Sequence, residues 1–427
     1  MYRLTVVATI ARTKKERHLA SLAGGASLFA GAAESKLARL RAELAPLAAR
    51  YDVMVANPPY MGASNMNKWL NGWTKKHFAE SCRDLCTCFI KRGMVLARRG
   101  GYEALITSDT CMYISSFEKM RKLIIEETSI IAFIDTRGTN AHPDVFDANA
   151  GWVLWNDKSI AMKGSYFKLN QPIAEKEAGL LEALANPDCG WFFRRSNQAY
   201  RIIPGSPIAY WASDSLEKIF SACRPFDDTL QCREGIHTAN NERFLRLWWE
   251  VSNKLMVHGA QNLSDIDRKG RWVPYCKGGP FRKWYGNFEY LIGFNADLRD
   301  KMRKQQGCVW PSQSLWFKEG GTWTAISSGC LGVRYYPAGC LFDAGGQVLV
   351  GDNCIEAIAA LNSSLYNVIA ELTMPTLNYK CGVIKTLPDL RRNNTRTIVT
   401  ASNNVDIACE DWNSSEMSWD FKQHPLI

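Results

Sequence analysis

Two consecutive prolines, Pro58 and Pro59, follow directly on the apolar run Tyr51–Ala56. A short run that is almost continuously apolar is typical of a buried parallel strand. Two prolines end such a strand, because neither has a backbone N–H to donate and both have a fixed φ angle. The sequence therefore predicts a strand that ends in a stiff, extended corner, Asn57-Pro58-Pro59-Tyr60.

Helical and strand-like segments alternate on both sides of this corner. A helix is expected within residues 24–50, where leucines recur at helical spacing, and further helices over 83–98 and 117–127. Short apolar runs at 102–107, 129–135 and 151–155 predict strands. This alternation favours a doubly wound α/β sheet, in which ligands bind at the carboxyl ends of the strands. The corner lies at one such end.

The composition changes after about residue 165, and the chain becomes rich in turns and aromatic residues from about residue 200. We expect four regions. These are an α/β domain (1–165), a helical linker (166–204), an α+β domain (205–395) and a polar tail (396–427).

The residue types of the corner suit one reaction. The N6 amine of adenine is a poor nucleophile, because its lone pair is delocalised into the ring. The side-chain oxygen of Asn57 and the backbone carbonyl of Pro58 could each accept one hydrogen of that amine. The locked φ angles of Pro58 and Pro59 fix the direction in which that carbonyl points. Tyr60 offers a flat face to a base that has left the duplex, where stacking contributes about 1–3 kcal/mol per base. The alternative is a plain turn after a strand.

A basic and aromatic cluster occupies residues 268–304, which hold ten Lys or Arg against three acids. Together with the formal net charge of +10, it favours a polyanionic partner. The alternative is a solvated basic face over an ordinary core. As DNA-contacting residues we select Lys277, Arg282, Lys283 and Arg334.

Other classes of protein are disfavoured. No run of about 18 apolar residues is present, so no membrane span is expected, and the chain is interpreted as cytoplasmic. The fourteen cysteines include no CxxC pair, which favours buried free thiols over a zinc site, and no metal ligand is predicted.

Several segments together resemble one family. Residues 51–62 are similar to motif IV of the methyltransferases that modify N6 of adenine. The similarity to the PglX methyltransferases of BREX phage resistance, which are related to type IIG restriction-modification enzymes, extends over residues 235–251, 272–285, 328–346 and 375–388. The family commonly has glycine where this chain has Ala239.

The resemblance implies a class I methyltransferase-type (Rossmann-like) sheet in the first domain and a target-recognition domain after residue 205. It also implies S-adenosylmethionine as co-substrate. A donor site needs a strand, a glycine-rich turn and an acidic residue on the next strand. Gly24-Gly25 and Gly31 precede the corner without a convincing strand, so the donor-binding half is expected to be missing. The chain is interpreted as a fragment, a split-gene half or a decayed gene product, and Met1–Ala11 as foreign to the ancestral protein.

The favoured function is therefore site-specific N6-adenine methylation of double-stranded DNA in a phage-defence or restriction-modification system. Its partners would be a separate N-terminal methyltransferase half or other defence-system subunits. One alternative is a catalytically silent DNA-binding specificity fragment. Another is an RNA or protein N-methyltransferase, which would use the same Asn-Pro-Pro-Tyr chemistry.

Overall fold

The computed structural model describes residues 30–136, 149–169, 173–327, 329–374 and 378–424. The chain divides into two compact units between Arg201 and Ile202, and each unit is treated by itself below. Gly24-Gly25 and Met1–Ala11, which entered the expectations about the donor loop and the start of the chain, lie outside the described residues. Gly31 lies within a helix.

The first unit alternates helices and strands. Its helices are α1 (Ala30–Ala48), α2 (Lys68–His77), α3 (Leu85–Leu96), α4 (Glu118–Glu127) and α5 (Ile173–Ala185). Its strands are β1 (Tyr51–Ala56), β2 (Ala97–Ser108), β3 (Ser129–Asp135), β4 (Asn149–Trp155), β5 (Lys163–Lys168) and β6 (Phe192–Ser196). Side chains of Asn67 and Asp84 cap the first turns of α2 and α3, which satisfies backbone N–H groups that have no partner within the helix.

The six strands form one sheet in the order β1-β2-β4-β3-β5-β6. Strands β1 and β2 are parallel, and so are β3 and β5. Strand β4 runs antiparallel to both of its neighbours. The α/β class is as expected, whereas the sheet is mixed in direction and is not uniformly parallel.

Strand β1 was expected to be buried, and this expectation is wrong. Among the described strands it pairs only with β2, so it lies at the edge of the sheet. The side chain of Val53 is 55% exposed and that of Val55 is 75% exposed. An apolar run predicts that a segment is a strand, but its burial depends on the strands and helices that cover it.

The segment 166–204 is only partly helical, which differs from the expected linker. Strand β5 precedes α5 in the chain and β6 follows it. Strand β5 pairs with β3, and β6 pairs with β5, so both strands extend the sheet of the first unit. Tyr166 is fully buried against Phe133 of β3. These short segments form strands because pairing with the sheet lets them bury their apolar side chains.

The second unit is built from two four-stranded sheets and short helices. One sheet has the order β13-β9-β10-β8 and the other β12-β11-β14-β7. The strands are β7 (Leu230–Arg233), β8 (Leu245–Leu247), β9 (Trp272–Cys276), β10 (Tyr290–Gly293), β11 (Gly320–Thr324), β12 (Val333–Tyr336), β13 (Leu341–Phe342) and β14 (Gly346–Gly351). The helices are α6 (Asp214–Ala222), α7 (Asn241–Phe244), α8 (Leu263–Lys269), α9 (Ala296–Arg303), α10 (Cys354–Leu361), α11 (Ser364–Thr373), α12 (Cys381–Ile384) and α13 (Thr395–Asn413).

Strand β14 shows how this unit is layered. Its side chains alternate between the two faces of the sheet, as in any strand. Val348 belongs to a core shared with Val273 of β9, whereas Leu349 belongs to a core shared with Ile358 of α10. The sheet is therefore covered on one face by the other sheet and on the opposite face by helices.

The expected polar tail is mostly a helix. Helix α13 spans nineteen residues, and the side-chain amide of Asn394 caps its first turn. Trp412, near its end, is 6% exposed and belongs to the core between the two sheets. The polar residues that suggested a tail lie on the outer side of this helix, and a few apolar positions such as Val405 attach it.

No helix among the described residues is long and apolar enough to cross a membrane. All fourteen cysteines are free thiols as predicted, but only six of them are buried; seven are half-buried and Cys330 is exposed.

Candidate active site and DNA-facing surface

The corner Asn57-Pro58-Pro59-Tyr60 leaves the carboxyl end of β1 as predicted. Asn57 is exposed and Pro58 is buried. The ring of Tyr60 is 40% exposed. The amide of Asn57 and one part of the Tyr60 ring are therefore accessible to a ligand, while the buried proline anchors the corner between them.

The residues after the corner hold it against the start of α3. The N–H of Leu85 donates to the carbonyl of Met61 at 2.9 Å, and the N–H of Ala63 donates to the carbonyl of Arg83 at 2.9 Å. The carboxylate of Asp84 accepts from the N–H of Met61 at 3.2 Å and from the N–H of Cys86 at 2.9 Å. One side chain thus caps the helix and fastens the corner, so the corner is rigid in the free protein.

Tyr60 keeps its proton at neutral pH. Partial burial raises the pKa of its hydroxyl, and the nearby Cys86 and Asp84 add to the increase. Burial likewise raises the pKa of the Cys86 thiol far above its usual range, so this thiol is not a nucleophile. Tyr60 is therefore a neutral aromatic surface, which suits stacking on a base.

A second polar group lies at the end of β2, and sequence reasoning missed it. Because β1 and β2 are parallel, with Ala56 opposite Leu105, their carboxyl ends share one edge of the sheet. Asp109 follows β2 directly and is 1% exposed, and the hydroxyl of Tyr113 donates to its carboxylate. The signal was present in the sequence, since an acidic residue follows the apolar strand 102–107.

No group of three or more His, Cys, Asp or Glu residues that could hold a metal ion occurs within the part of the chain that the structure describes.

Three of the four basic residues selected from the sequence lie around one loop of the second unit. Lys283 is next to Trp284, which forms a bridge with Arg334, and the side-chain ammonium of Lys283 donates to the carbonyl of Asn362 at 2.8 Å. Arg282 donates to the carboxylate of Asp411 at 3.0 Å and covers the ring of Trp412. Both cations are thus already engaged in contacts within the unit.

Lys277 and Arg334 differ strongly in exposure. Lys277 is half-buried, and its ammonium lies 5.3 Å from the centre of the Tyr290 ring. Arg334 is 2% exposed, and burial lowers the pKa of its guanidinium to about 10. A phosphate contact needs a charge at the surface, so this burial speaks against Arg334 as a phosphate ligand. The burial of Arg334 could not be predicted from an alternating pattern of apolar and polar residues, because both faces of its sheet are covered.

Comparison with known proteins adds the family context. Residues 26–142 match the model of the Eco57I restriction-modification methylase family. The chain is 32% identical over 394 residues to the adenine-specific methyltransferase PglX of Lacticaseibacillus casei (strain Zhang). It is 33% identical over 391 residues to the adenine-specific methyltransferase BrxX of Escherichia coli O9:H4 (strain HS). The predicted resemblance to the PglX family is confirmed.

The similarity to these PglX-type methyltransferases covers 89% of this chain in both cases. The chain spans about a third of their length, 33% of the first and 31% of the second. Among solved structures, the type IIL restriction-modification enzyme MmeI in complex with DNA is similar in fold, with a TM-score of 0.56 at 12% identity. That similarity covers 88% of this chain and 52% of the MmeI chain.

The one noted departure from the PglX pattern lies at a strained position. Ala239 has a φ angle of +59°, in the left-handed region that glycine adopts at low cost and alanine does not. The hydroxyl of Thr238, just before it, donates to the side chain of Asn241 and accepts from the N–H of Asn240. The loop thus keeps the geometry suited to glycine, and local hydrogen bonds offset the strain of the alanine.

Proposed function

We propose that this chain takes part in site-specific methylation of N6 of adenine in duplex DNA, with S-adenosylmethionine as donor, in a phage-defence or restriction-modification system. The observation that carries the proposal is the fastened corner, which presents the Asn57 amide and the Tyr60 ring together at the carboxyl edge of a sheet. The similarity to two adenine-specific methyltransferases supports it.

The corner can hold the amine in a reactive orientation. The side-chain oxygen of Asn57 accepts one N6 hydrogen, and the carbonyl of Pro58 accepts the other. These two acceptors draw the hydrogens out of the plane of the base, so that the nitrogen lone pair is less delocalised into the ring. Tyr60 stacks on the extruded adenine and returns part of the free energy lost when the base leaves the duplex.

S-adenosylmethionine would supply the methyl group. The described residues do not provide its usual site: β1 is the first strand that the structure describes, and no glycine-rich turn after a strand precedes it in residues 30–50. We therefore assign no donor-binding residue and derive no step from one.

A second candidate is a DNA-binding specificity fragment that is silent until a separate donor-binding chain or another defence-system subunit joins it. The position of β1 at the end of the described sheet and its exposed valines favour this candidate, because the outer edge of an apolar strand is a site where a further strand can add. In that case the corner would become active only in the assembly.

One experiment separates the two candidates. The full chain is incubated with S-adenosylmethionine that carries a labelled methyl group and with duplex DNA, and donor binding and DNA binding are measured by calorimetry. A matched duplex whose adenines are already N6-methylated serves as the control. Label in the unmodified duplex alone supports the methyltransferase, whereas DNA binding without donor binding supports the specificity fragment. A chain that binds no DNA would rule out both.

A further inference from the structure

Helix α2 begins eight residues after Tyr60 and presents an unusual exposed face. Several of its side chains and one glycine are open to solvent, namely Lys68, Trp69, Gly72, Lys75 and Lys76. Positions three and four apart share one side of a helix. The exposed face of α2 therefore combines lysines with a large aromatic ring, immediately beside the candidate active site in the chain.

The charge of this face is of a single sign. No Asp or Glu occurs between Met61 and Ala79. None of Lys68, Lys75 and Lys76 forms an ion pair with a described residue, whereas Lys91 pairs with Glu80 nearby. Lysines that no carboxylate neutralises are available to the phosphates of a nucleic acid.

Trp69 is held in place although it is exposed. Its side chain is 58% exposed, and its ring is stacked with that of Trp73 at 6.4 Å and an interplanar angle of 16°. Trp73 in turn contacts His77 and Phe78. The ring of Trp69 is thus preorganised, so binding through it costs little side-chain entropy.

Packing within the described part of the protein does not account for Gly72. A glycine inside a helix costs about 1 kcal/mol relative to alanine. A Cβ atom at Gly72 would meet no atom within 4 Å, so internal packing does not require its absence. Close approach of another molecule to the helix backbone at this point would require it.

The helix is fastened to the corner. The side-chain amide of Asn71 donates to the carbonyl of Ala63 at 2.6 Å. The hydroxyl of Thr74 is 3.7 Å from the sulfur of Met66, and Met66 belongs to a small core with Leu85 of α3. These contacts connect α2 to the segment that also holds Tyr60, so a ligand bound on one is placed relative to the other.

We infer that the exposed face of α2, formed by Lys68, Trp69, Gly72, Lys75 and Lys76, is a DNA contact of the first unit that grips the duplex beside the extruded adenine. The lysines meet phosphates, Trp69 lies against a sugar or base, and Gly72 lets the sugar-phosphate backbone approach the helix. The inference rests on the proposed function and adds a surface distinct from the basic cluster of the second unit.

The first test compares two double variants of the full chain. Lys75→Ala/Lys76→Ala removes two charges from this face. Lys158→Ala/Lys163→Ala removes two exposed lysines elsewhere in the first unit, neither of which forms an ion pair with a described residue. Affinity for a duplex is measured by fluorescence anisotropy between 50 and 300 mM salt. The slope of log K against log[salt] should fall by about two for the α2 variant, since each lost phosphate contact removes about 0.9. The control should leave the slope unchanged.

The second test uses a substitution that should stabilise the protein and at the same time weaken its binding to DNA. Gly72→Ala should raise the midpoint of thermal unfolding by about 2–4 °C, because it removes the cost of a helical glycine. It should at the same time weaken DNA binding. Trp69→Ala should weaken binding roughly fivefold or more, and Trp69→Phe should restore part of the loss. A residue with a merely structural role would not separate stability from binding in this way.

The outcomes are distinct. The inference is supported if the slope of log K against log[salt] decreases in the α2 variant alone and Gly72→Ala binds DNA more weakly. Equal slopes in both double variants, or unchanged binding in Gly72→Ala and Trp69→Ala, overturn it while the proposed function stands. Should the unsubstituted chain bind no DNA, both fall. If the α2 variant loses binding to vesicles of anionic phospholipid but keeps its DNA affinity, the face serves a membrane surface and the inference is wrong.

Discussion

Strands β1 and β14 are both short and rich in valine, yet they differ in every aspect of their surroundings. Strand β1 pairs on one side among the described strands, and Val55 is 75% exposed. Strand β14 pairs on both sides, and Val348 is fully buried. The described sheet of the first unit thus has its edge at β1, which carries the candidate active site, whereas the sheets of the second unit pack around two large buried cores.

Under the proposed function, we expect the first unit to act in methyl transfer and the second unit in DNA binding. The apolar side chains of the second unit are buried in large clusters on both faces of the sheet that contains β14. The first unit places its candidate active site at the end of β1, which pairs with only one other strand among the described residues.

The largest expected effect separates chemistry from binding. In an assembly that transfers methyl groups, Asn57→Ala should lower the transfer rate by about a hundredfold or more, in line with the loss of one positioned hydrogen bond at a reacting group. DNA affinity should stay unchanged. Single-turnover kinetics and anisotropy measure the two quantities.

The matching change in the second unit is Lys277→Ala, which should weaken DNA binding and leave the rate of methyl transfer unchanged. Lys277 forms no ion pair with a described residue, so its charge is available to a phosphate. Its loss should lower the salt slope by about one, with transfer at saturating DNA unaffected. Arg282→Ala should have a smaller effect, because that guanidinium is engaged with Asp411. If Asn57→Ala lost DNA affinity to the same degree as Lys277→Ala, the division of tasks would be refuted.

The next effect compares the two strands directly. Val348→Thr buries a hydroxyl without a partner and should lower the free energy of unfolding by about 1–3 kcal/mol. Val55→Thr, at the exposed position of β1, should change it by less than about 0.5 kcal/mol. Urea denaturation of both variants gives the values. Equal losses would mean that the β1 face is covered in solution and that the first unit is not open.

A buried acid in the first unit should make the stability of the chain depend on pH. Glu103 on β2 is 1% exposed, and neither oxygen of its carboxyl accepts a hydrogen bond from a described residue. Burial raises the pKa of this carboxyl well above its ordinary value. The folded chain therefore keeps a proton that the unfolded chain releases, and stability must fall as the pH rises above the ordinary pKa of the group.

Glu103→Gln removes this dependence, since an amide does not titrate. The difference in free energy of unfolding between the variant and the unsubstituted chain should grow in favour of the variant by up to about 1.4 kcal/mol per pH unit above pH 5. Urea denaturation between pH 4 and pH 8 measures it. A difference that does not depend on pH would show that Glu103 is charged and paired when folded.

Much of the local structure could be predicted because it depends on local chemistry. The observed bounds of β1 and β3 match the apolar runs from which they were predicted, and α3 and α4 begin and end within two residues of the expected limits. Strands β5 and β6 were missed because each has few residues and is stabilised only by its neighbours in the sheet. The helical end of the chain was missed because α13 is mostly polar and is attached by a few residues such as Trp412.

Part of the candidate site could be predicted because it also depends on the chemistry of a few adjacent residues. The corner Asn57–Tyr60 follows from two prolines after an apolar run, and its position at a strand end is as expected. Asp109 comes to the same edge only because β2 lies parallel to β1. Arg334 could not be distinguished from an exposed cation, since its burial results from two sheets and a loop that are distant in sequence.

The sequence by itself determined the strand, the proline-locked corner and the residue types that can hold an amine, because each follows from backbone geometry and the chemistry of a few adjacent residues. The tertiary structure alone decided that β1 lies at the edge of the described sheet, that Arg334 is buried, and that a helix whose lysines pair with no described carboxylate is fastened to the segment after Tyr60. Those properties depend on which segments cover one another, and a side chain's neighbours in space are not encoded in its neighbours along the chain.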